Sequence, residues 1–417
     1  MDGTNGGNQP LISNCLQHNS QKKHQKTKPM HCTMSAKESV IGEKRKEALA
    51  AYDQLPMPRE REEAWRYTPI DRFDIRKFMP FSAPSITLSP LPEHARKKGA
   101  IFCPMAAAIN EHYPLVSNYH LKNTLLADKF LALNAAVWQD GVFLYIPKNV
   151  HLEEPLSAMI SGKTNCAAHT LIILEEGSSA SYMEEHSYLS EQEIMATCVT
   201  EVFAGSSAKL RFNHLTRASE QANIFNSTVG EAKKDAEIQW AWATFGGKLN
   251  RLRVDTLFAG EGARSENIGI MIGKGKQHLD CTTNAYHNAP NTTNDMAVKA
   301  IMMDSSRSIY RGLIKIRKEA QGTNSYLSNH VLKLSDKSLA NSIPALEIDA
   351  NEVKASHGAT MGQVDEEQLF YLRSRGLSQQ EAEKLIVEGF FEPLILKLHP
   401  EAIQQRFRSA VQEAISP

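Results

Sequence analysis

No two of the six cysteines, Cys15, Cys32, Cys103, Cys166, Cys198 and Cys281, stand within four residues of each other. Zinc and cluster sites held by one chain usually show a close C-x-x-C pair, so an autonomous site of that kind is not expected. Six thiols scattered over 417 residues also make a poor disulfide framework. They suit a reducing cytoplasmic compartment. Long apolar runs are missing too. The best, Leu125 to Trp138, is interrupted by Asp128 and Lys129, short of the roughly 18 residues a spanning helix needs. Neither sign of charge is in excess, with 47 Lys+Arg against 47 Asp+Glu. Bulk binding to nucleic acid or an anionic membrane needs a basic surplus, and its absence argues against both. There is no G-x-x-x-x-G-K-[ST] loop and no G-x-S-x-G elbow. Gly269, Gly273 and Gly275 lack the strand–turn–helix setting of a dinucleotide site.

Residues 1–34 contain no arginine and no apolar segment, so they match neither a transit peptide nor a secretory signal. They read as a disordered tail with a small basic cluster at Lys22, Lys23, Lys26 and Lys28. Met34, followed at once by Ser35 and Glu38 as a capping box, is an alternative start.

A helical domain is expected over 35–138. Ile41, Ala48, Tyr52 and Leu55 share a face, and Pro56 and Pro58 end that segment. At Asp140 the period changes. Short β-rich runs separated by Gly, Ser, Asn and Asp turns continue to Ile348. They also repeat: Ala180, Ala208, Ala236 and Ala263 recur at 28, 28 and 27 residues, and Gly177, Gly205 and Gly260 stand three residues ahead of three of them. A period of this size in strand-rich sequence is a solenoid signature. The expectation is a mainly β protein. Its core is a right-handed parallel β-helix over 139–348, with two or three strands per coil and an Ala at a tight corner. Helical domains over 35–138 and 349–417 cap it. In the latter, Asp365 caps one helix that Gly376 stops, and Ser378 with Glu381 forms a capping box for the next. Ile403, Phe407, Ala410, Val411 and Ala414 line one face of a last helix.

Chemistry-bearing residues are few. His357 follows Ala355-Ser356 and precedes Gly358, which reads as an accessible histidine on a turn before the helices. His278, Asp280 and His287 fit no standard metal spacing, and hydrogen-bonded histidines inside the solenoid are the favoured reading. Trp240 and Trp242 alternate with Ala241 and Ala243 on a strand, as core or as a stacking surface for a flavin.

The run Ser356-His357-Gly358-Ala359-Thr360, then Asp365-Glu366-Glu367-Gln368-Leu369-Phe370-Tyr371-Leu372-Arg373-Ser374-Arg375-Gly376, resembles the SufB/SufD family of iron–sulfur cluster assembly scaffolds, on its SufD-like side. Glu63-Ala64-Trp65-Arg66-Tyr67-Thr68 resembles the family's N-terminal signature. The resemblance runs from Glu63 to Phe391 and is stronger after Gly141. It implies a cytoplasmic, non-catalytic subunit that pairs with SufB and with the ATPase SufC; a homodimer when alone and a heterodimer in the cell both stand as alternatives. It implies that His357 is a ligand for the nascent cluster at the SufB junction. It places SufC on the C-terminal helices, where Leu369, Phe370, Leu385, Ile386 and Phe390 are the apolar candidates. No cluster would be held tightly by this chain alone, and a flavin is compatible with either this subunit or the complex. The chain departs from the family twice. Ala355 stands where many SufD-like chains carry cysteine. Ser338, between Asp336 and Pro344, stands where SufB carries its cluster-bearing cysteine. A hydroxyl is a poor iron ligand beside a thiolate, which suits an assisting subunit. A secreted polysaccharide lyase or hydrolase is the rival on fold analogy alone. A free-standing cluster carrier is opposed by the absence of paired cysteines.

Overall fold

The computed structural model describes residues 36–124, 126 and 128–415. The tail over 1–34 and the alternative start at Met34 lie outside the described residues. The chain is mainly β, a parallel β-solenoid of about 8 turns with helices before and after it. Each coil contributes one strand to each of two nine-stranded sheets. The first sheet contains β1 (Ser85–Leu88), β4 (Leu156–Ser161), β6 (Ser179–Tyr188), β8 (Lys209–Ala218), β10 (Glu237–Gly246), β12 (Arg264–Gly273), β14 (Thr293–Met302), β16 (Asn324–Lys333) and β18 (Lys354–Gln363), in that order. The second runs from β2 (Ile101–Pro104) through β3 (Val142–Ile146), β5 (Cys166–Leu174), β7 (Ile194–Ala204), β9 (Ala222–Ala232), β11 (Leu249–Phe258), β13 (His278–His287) and β15 (Arg307–Ile316) to β17 (Leu339–Ile348).

The repeat has a physical cause at the corner between the sheets. The backbone N–H of Ala208, Ala236 and Ala263 donates to the carbonyl three residues back, on Gly205, Lys233 and Gly260. The residue before each has positive φ: Ser207 57°, Asp235 54° and Gly262 71°. Each alanine is fully buried at the start of a strand. In the first of these coils the corner residue is Ser178, not Ala180. Ala180 pairs with Leu210, two residues past the alignment suggested by the alanine spacing. The slip is by two because inward and outward parity must survive it.

The first strands are laid antiparallel on the solenoid. β1 pairs with β4 and β2 with β3, so the segment expected to be mostly helical also closes the starting end with strands. Helix α1 (Ala36–Gln54), the short α2 (Glu93–Lys97), α3 (Met105–Glu111) and α4 (Tyr113–Tyr119), and α5 (Lys129–Val137) complete that region. Phe130 of α5 stacks on Phe225 of β9 with ring centroids 4.0 Å apart. At the other end, α6 (Glu366–Ser374) packs on α7 (Gln379–Ile395), and α7 and α8 (Glu401–Ile415) fold back along the first sheet. Its outer apolar residues, Ala241, Ala243, Ile268 and Ile270 among them, are covered by Val387, Phe391, Phe407 and Val411. Both caps read from sequence are made. Asp365 accepts from Glu367 N at 2.9 Å, and Ser378 and Glu381 form the reciprocal box.

The expected boundary at 348 falls within the last coil. β18 pairs in parallel with β16 through Lys354↔Asn324 to Gln363↔Lys333. Gly358, taken as a turn residue, is therefore a strand residue. Small residues and a histidine carry little β signal of their own, and it is pairing on an existing edge that makes this segment a strand.

A candidate cluster junction at the open end of the solenoid

The two sheets end differently from the way they begin. β17 is bonded only to β15 and β18 only to β16, so the last coil presents two unpaired strand edges. Register locates each terminal side chain. His357 pairs with Leu327, and the same column continues inward through Met296, Asn267, Trp240 and Phe212. All five are buried core residues. His357 is the next member of that inward column, but nothing among the described residues stacks on it, and it is exposed. Leu346 and Ile348 end inward columns that run through the fully buried Ile314 and Ile316, and Met361 ends one that runs through the buried Val331. These three are 37%, 40% and 47% exposed. The open end is thus a cross-section of the core with an imidazole in it and apolar residues around it. An apolar, two-edged face of this sort is how strand-pairing partners and homologous solenoid ends are recognised.

The other candidates are distributed as follows. Ala355 lies on β18 two residues before His357 and offers no ligand. Ser338 is fully buried in the turn before β17, and its Oγ donates to the Ser335 carbonyl at 2.7 Å. On α6, Phe370 is 74% exposed, Leu369 is half-buried, and the helix has no buried residue. On α7, Leu385 is exposed and Ile386 half-buried, but Phe390 turns back to the solenoid. The Lys299 ammonium lies 4.7 Å from its ring centroid and donates to its carbonyl at 2.7 Å. Phe390 thus belongs to the packing of α7 and is separate from the exposed stripe.

Trp240 and Trp242 face inward and present no ring face for a flavin. Their indole N–H groups donate to Thr256 at 2.9 Å and Asn267 at 2.7 Å. A Cβ on Gly269 would lie 2.2 Å from the Trp242 ring, so the glycine there makes room for an indole. His287 is buried, with Nδ1 2.8 Å from Thr292 Oγ1 and its ring stacked on Phe258 at 4.3 Å. Burial pushes its pKa down to about 3. His278 is lowered to about 4 by burial, against the opposing pull of Asp280.

Asp280 is the hub of a buried clamp that the sequence did not reveal. It accepts from Arg251 Nη1, Arg311 Nη1 and Thr68 Oγ1, each at 2.5 Å. Arg251 also donates to the Ala64 carbonyl at 3.0 Å and lies 3.7 Å from the Trp65 ring centroid. Arg311 donates to the Arg66 carbonyl. The Glu63–Thr68 signature is therefore the strap that fastens the N-terminal segment to the second sheet. Thr68 and Asp280 are 212 residues apart in sequence, which is why no local pattern links them.

A second cluster missed by sequence reading lies inside the solenoid. Glu184, His186 and Cys198 are all buried, and their ligating atoms lie within 4.8 Å of one another. The E-x-H spacing on β6 carries that signal only once the inward parity of the strand is known.

Comparison with known proteins agrees with this architecture. Residues 158–390 match the family model described as SUF system FeS cluster assembly, SufBD core domain, and residues 87–158 match the SufBD protein N-terminal region. The chain is 31% identical over 332 residues to the iron-sulfur cluster assembly protein SufD of Bacillus subtilis (strain 168), covering 78% of this chain and 76% of that protein. It is 32% identical over 312 residues to an iron-sulfur cluster assembly SufBD family protein of Staphylococcus epidermidis (strain ATCC 12228 / FDA PCI 1200), covering 73% of this chain and 67% of the relative. A match of this extent, with a solenoid whose core reaches the surface at a histidine, makes the chain a SufD-like member of the SufBD family of iron–sulfur cluster assembly proteins.

Proposed function

We propose that this chain is the assisting, non-catalytic scaffold subunit of a cytoplasmic SufB–SufD–SufC complex, and that its open solenoid end is the face that meets SufB. The observation that carries this reading is the place of His357, in an inward column at an end where the core is uncovered. A partner ending in the same fold would pair its edge strands with β17 and β18, bury Leu346, Ile348 and Met361, and enclose His357 between the two chains. A neutral imidazole there is a suitable ligand for the iron of a cluster in assembly, the complex's cargo. The partner supplies the thiolate that Ser338 and Ala355 do not. A homodimer made through the same face is the expected state without SufB.

His357→Ala tests this directly. It is exposed, so the chain should lose less than about 1 kcal/mol of stability. The complex should assemble normally but hold clearly less iron when purified anaerobically. Normal assembly with normal iron content would remove the ligand role.

The ATPase is assigned to α6 and the exposed turn of α7. Phe370 and Leu385 are large apolar groups that the described residues leave exposed, as an anchor for a partner requires. Phe370→Asp should abolish co-purification of the ATPase and leave the unfolding temperature of the isolated chain within a degree or so, since surface changes are usually worth about 0.5 kcal/mol or less. Full recovery of the ATPase with the variant would move its docking site elsewhere.

A further inference from the structure

The coil formed by β6 and β7 has a polar interior where its neighbours are mostly apolar. Tyr182, Glu184, His186 and Tyr188 point inward from one sheet, with Thr170, Cys198 and Asn226 opposite. The Glu184 carboxylate accepts from Tyr182 Oη at 2.7 Å and Thr170 Oγ1 at 3.0 Å, and His186 Nε2 lies 2.9 Å from its Oε1. No guanidinium or ammonium belongs to this set. A carboxylate so deeply buried is costly unless a positive charge joins it.

Asn226 indicates what is missing. Its Nδ2 lies 3.1 Å and Tyr188 Oη 3.4 Å from His186 Nδ1, while the Asn226 Oδ1 is buried without a hydrogen-bond partner among the described residues. Turning the amide over places Oδ1 on His186 Nδ1–H, the usual orienting bond of a metal-bound histidine, and leaves the Nε2 lone pair facing Glu184. In that tautomer two acceptors face each other 2.9 Å apart and a cation between them joins both, whereas in the other tautomer His186 Nε2–H donates to Glu184 and the site is empty. A proton would serve, but it makes no use of the thiol. Cys198 Sγ is within 4.8 Å of both groups, and its contact with Thr200 Oγ1 at 4.0 Å is weak.

We propose that Glu184, His186 and Cys198 form a buried mononuclear site for a borderline divalent cation of the Fe²⁺–Co²⁺–Zn²⁺ series. One carboxylate, one imidazole and one thiolate suit those ions and not Mg²⁺ or Ca²⁺. With Glu184 and Cys198 both anionic, a divalent cation makes the centre electrically neutral, the state a low-dielectric interior favours. Burial keeps the Cys198 thiol protonated while the site is empty. Loading displaces that proton, as for any thiolate site. Asn226 is the positioning residue for His186. The site is separate from the open end: six strand spacings lie between β6 and β18, roughly 29 Å at about 4.8 Å each.

The test uses the full chain, produced in metal-depleted medium with Co²⁺ as the added transition ion and purified over a chelating resin. About one Co²⁺ per chain is expected, with a near-ultraviolet thiolate-to-cobalt charge-transfer band. Cys198→Ser should abolish the band and Cys281→Ser, in another coil, should keep it. Asn226→Ala should keep the band and weaken cobalt retention about tenfold or more. Unfolding curves establish that each variant is folded, and the wild-type result decides even where one is not. Wild-type chain without bound cobalt, or a band that survives Cys198→Ser, overturns the proposal.

Discussion

Replacing Asp280 with alanine should destabilise the protein by about 3–5 kcal/mol, the range for an ion-pair partner removed from a buried setting. The loss is large because Asp280 answers two guanidiniums at once. Arg251 and Arg311 are both buried, and both donate to this carboxylate. Without it they face each other across a site that water scarcely reaches. Thr68 and the strap from Ala64 to Thr68 lose their anchor in the same step. Thr68→Val is the graded control. It removes one hydroxyl bond and should cost about 1–2 kcal/mol. Denaturant midpoints give the comparison. Limited proteolysis gives the location, since the strap should become cleavable near Trp65 before the solenoid does. An Asp280→Ala variant within about 1 kcal/mol of the parent would show that the arginines find other partners and that the strap is not held this way.

Acid should weaken the fold well before the carboxylates titrate. His278 and His287 are buried and titrate near 4 and 3, displaced downward mainly by burial. His120 and His214 are pushed well below the usual range for the same reason. In the unfolded chain all four titrate near 6.5. Below that pH the unfolded state binds more protons, so stability must fall as the pH drops, by up to about 1.4 kcal/mol per pH unit for each such group. The decline levels off for each histidine only below its own folded value. Between pH 7 and pH 5, His278 and His287 alone should remove about 4 kcal/mol, a large share of an ordinary domain's stability. Urea midpoints at pH 7, 6 and 5 measure it. His287→Phe should flatten the dependence while keeping the stack on Phe258. Thr292 keeps bonds to Ala289 and Thr323 in that variant. A pH-independent midpoint over this range would mean that these histidines take up protons in the folded state as readily as in the unfolded one.

The solenoid was legible because its cause is local and recurs. Each corner needs a positive-φ residue and then a small buried one, so Gly205-Ser206-Ser207-Ala208 and its counterparts carry the period on their surface. The first coil shows the limit. Ser178 fills the corner as well as alanine does, and reading Ala180 instead puts the register out by two. His357 was legible as a motif residue but not as a strand residue, because Gly358 outweighs the pairing edge in any local reading. The Asp280 clamp was hidden for a different reason. Its parts lie on the strap and on three successive strands of one sheet, β11, β13 and β15, and only the coil spacing aligns Arg251 and Arg311 on either side of Asp280. The Glu184 site needed the inward parity of β6 and the stacking of β7 under it. Neither follows from the residues of one strand.

The unpaired edges of β17 and β18 also have a consequence for supply. A free copy of this subunit offers two ready strand templates and an uncovered apolar core, which is the usual starting point for sheet-to-sheet aggregation. Such a chain is expected to be safe only in proportion to whatever covers that end. A cell that makes it in excess of the partner proposed for that end would then lose the surplus to self-association. On that reasoning, matched production of the two would be part of keeping this protein in solution, and overproduction alone should yield dimers and larger species whose amount falls as the partner is supplied.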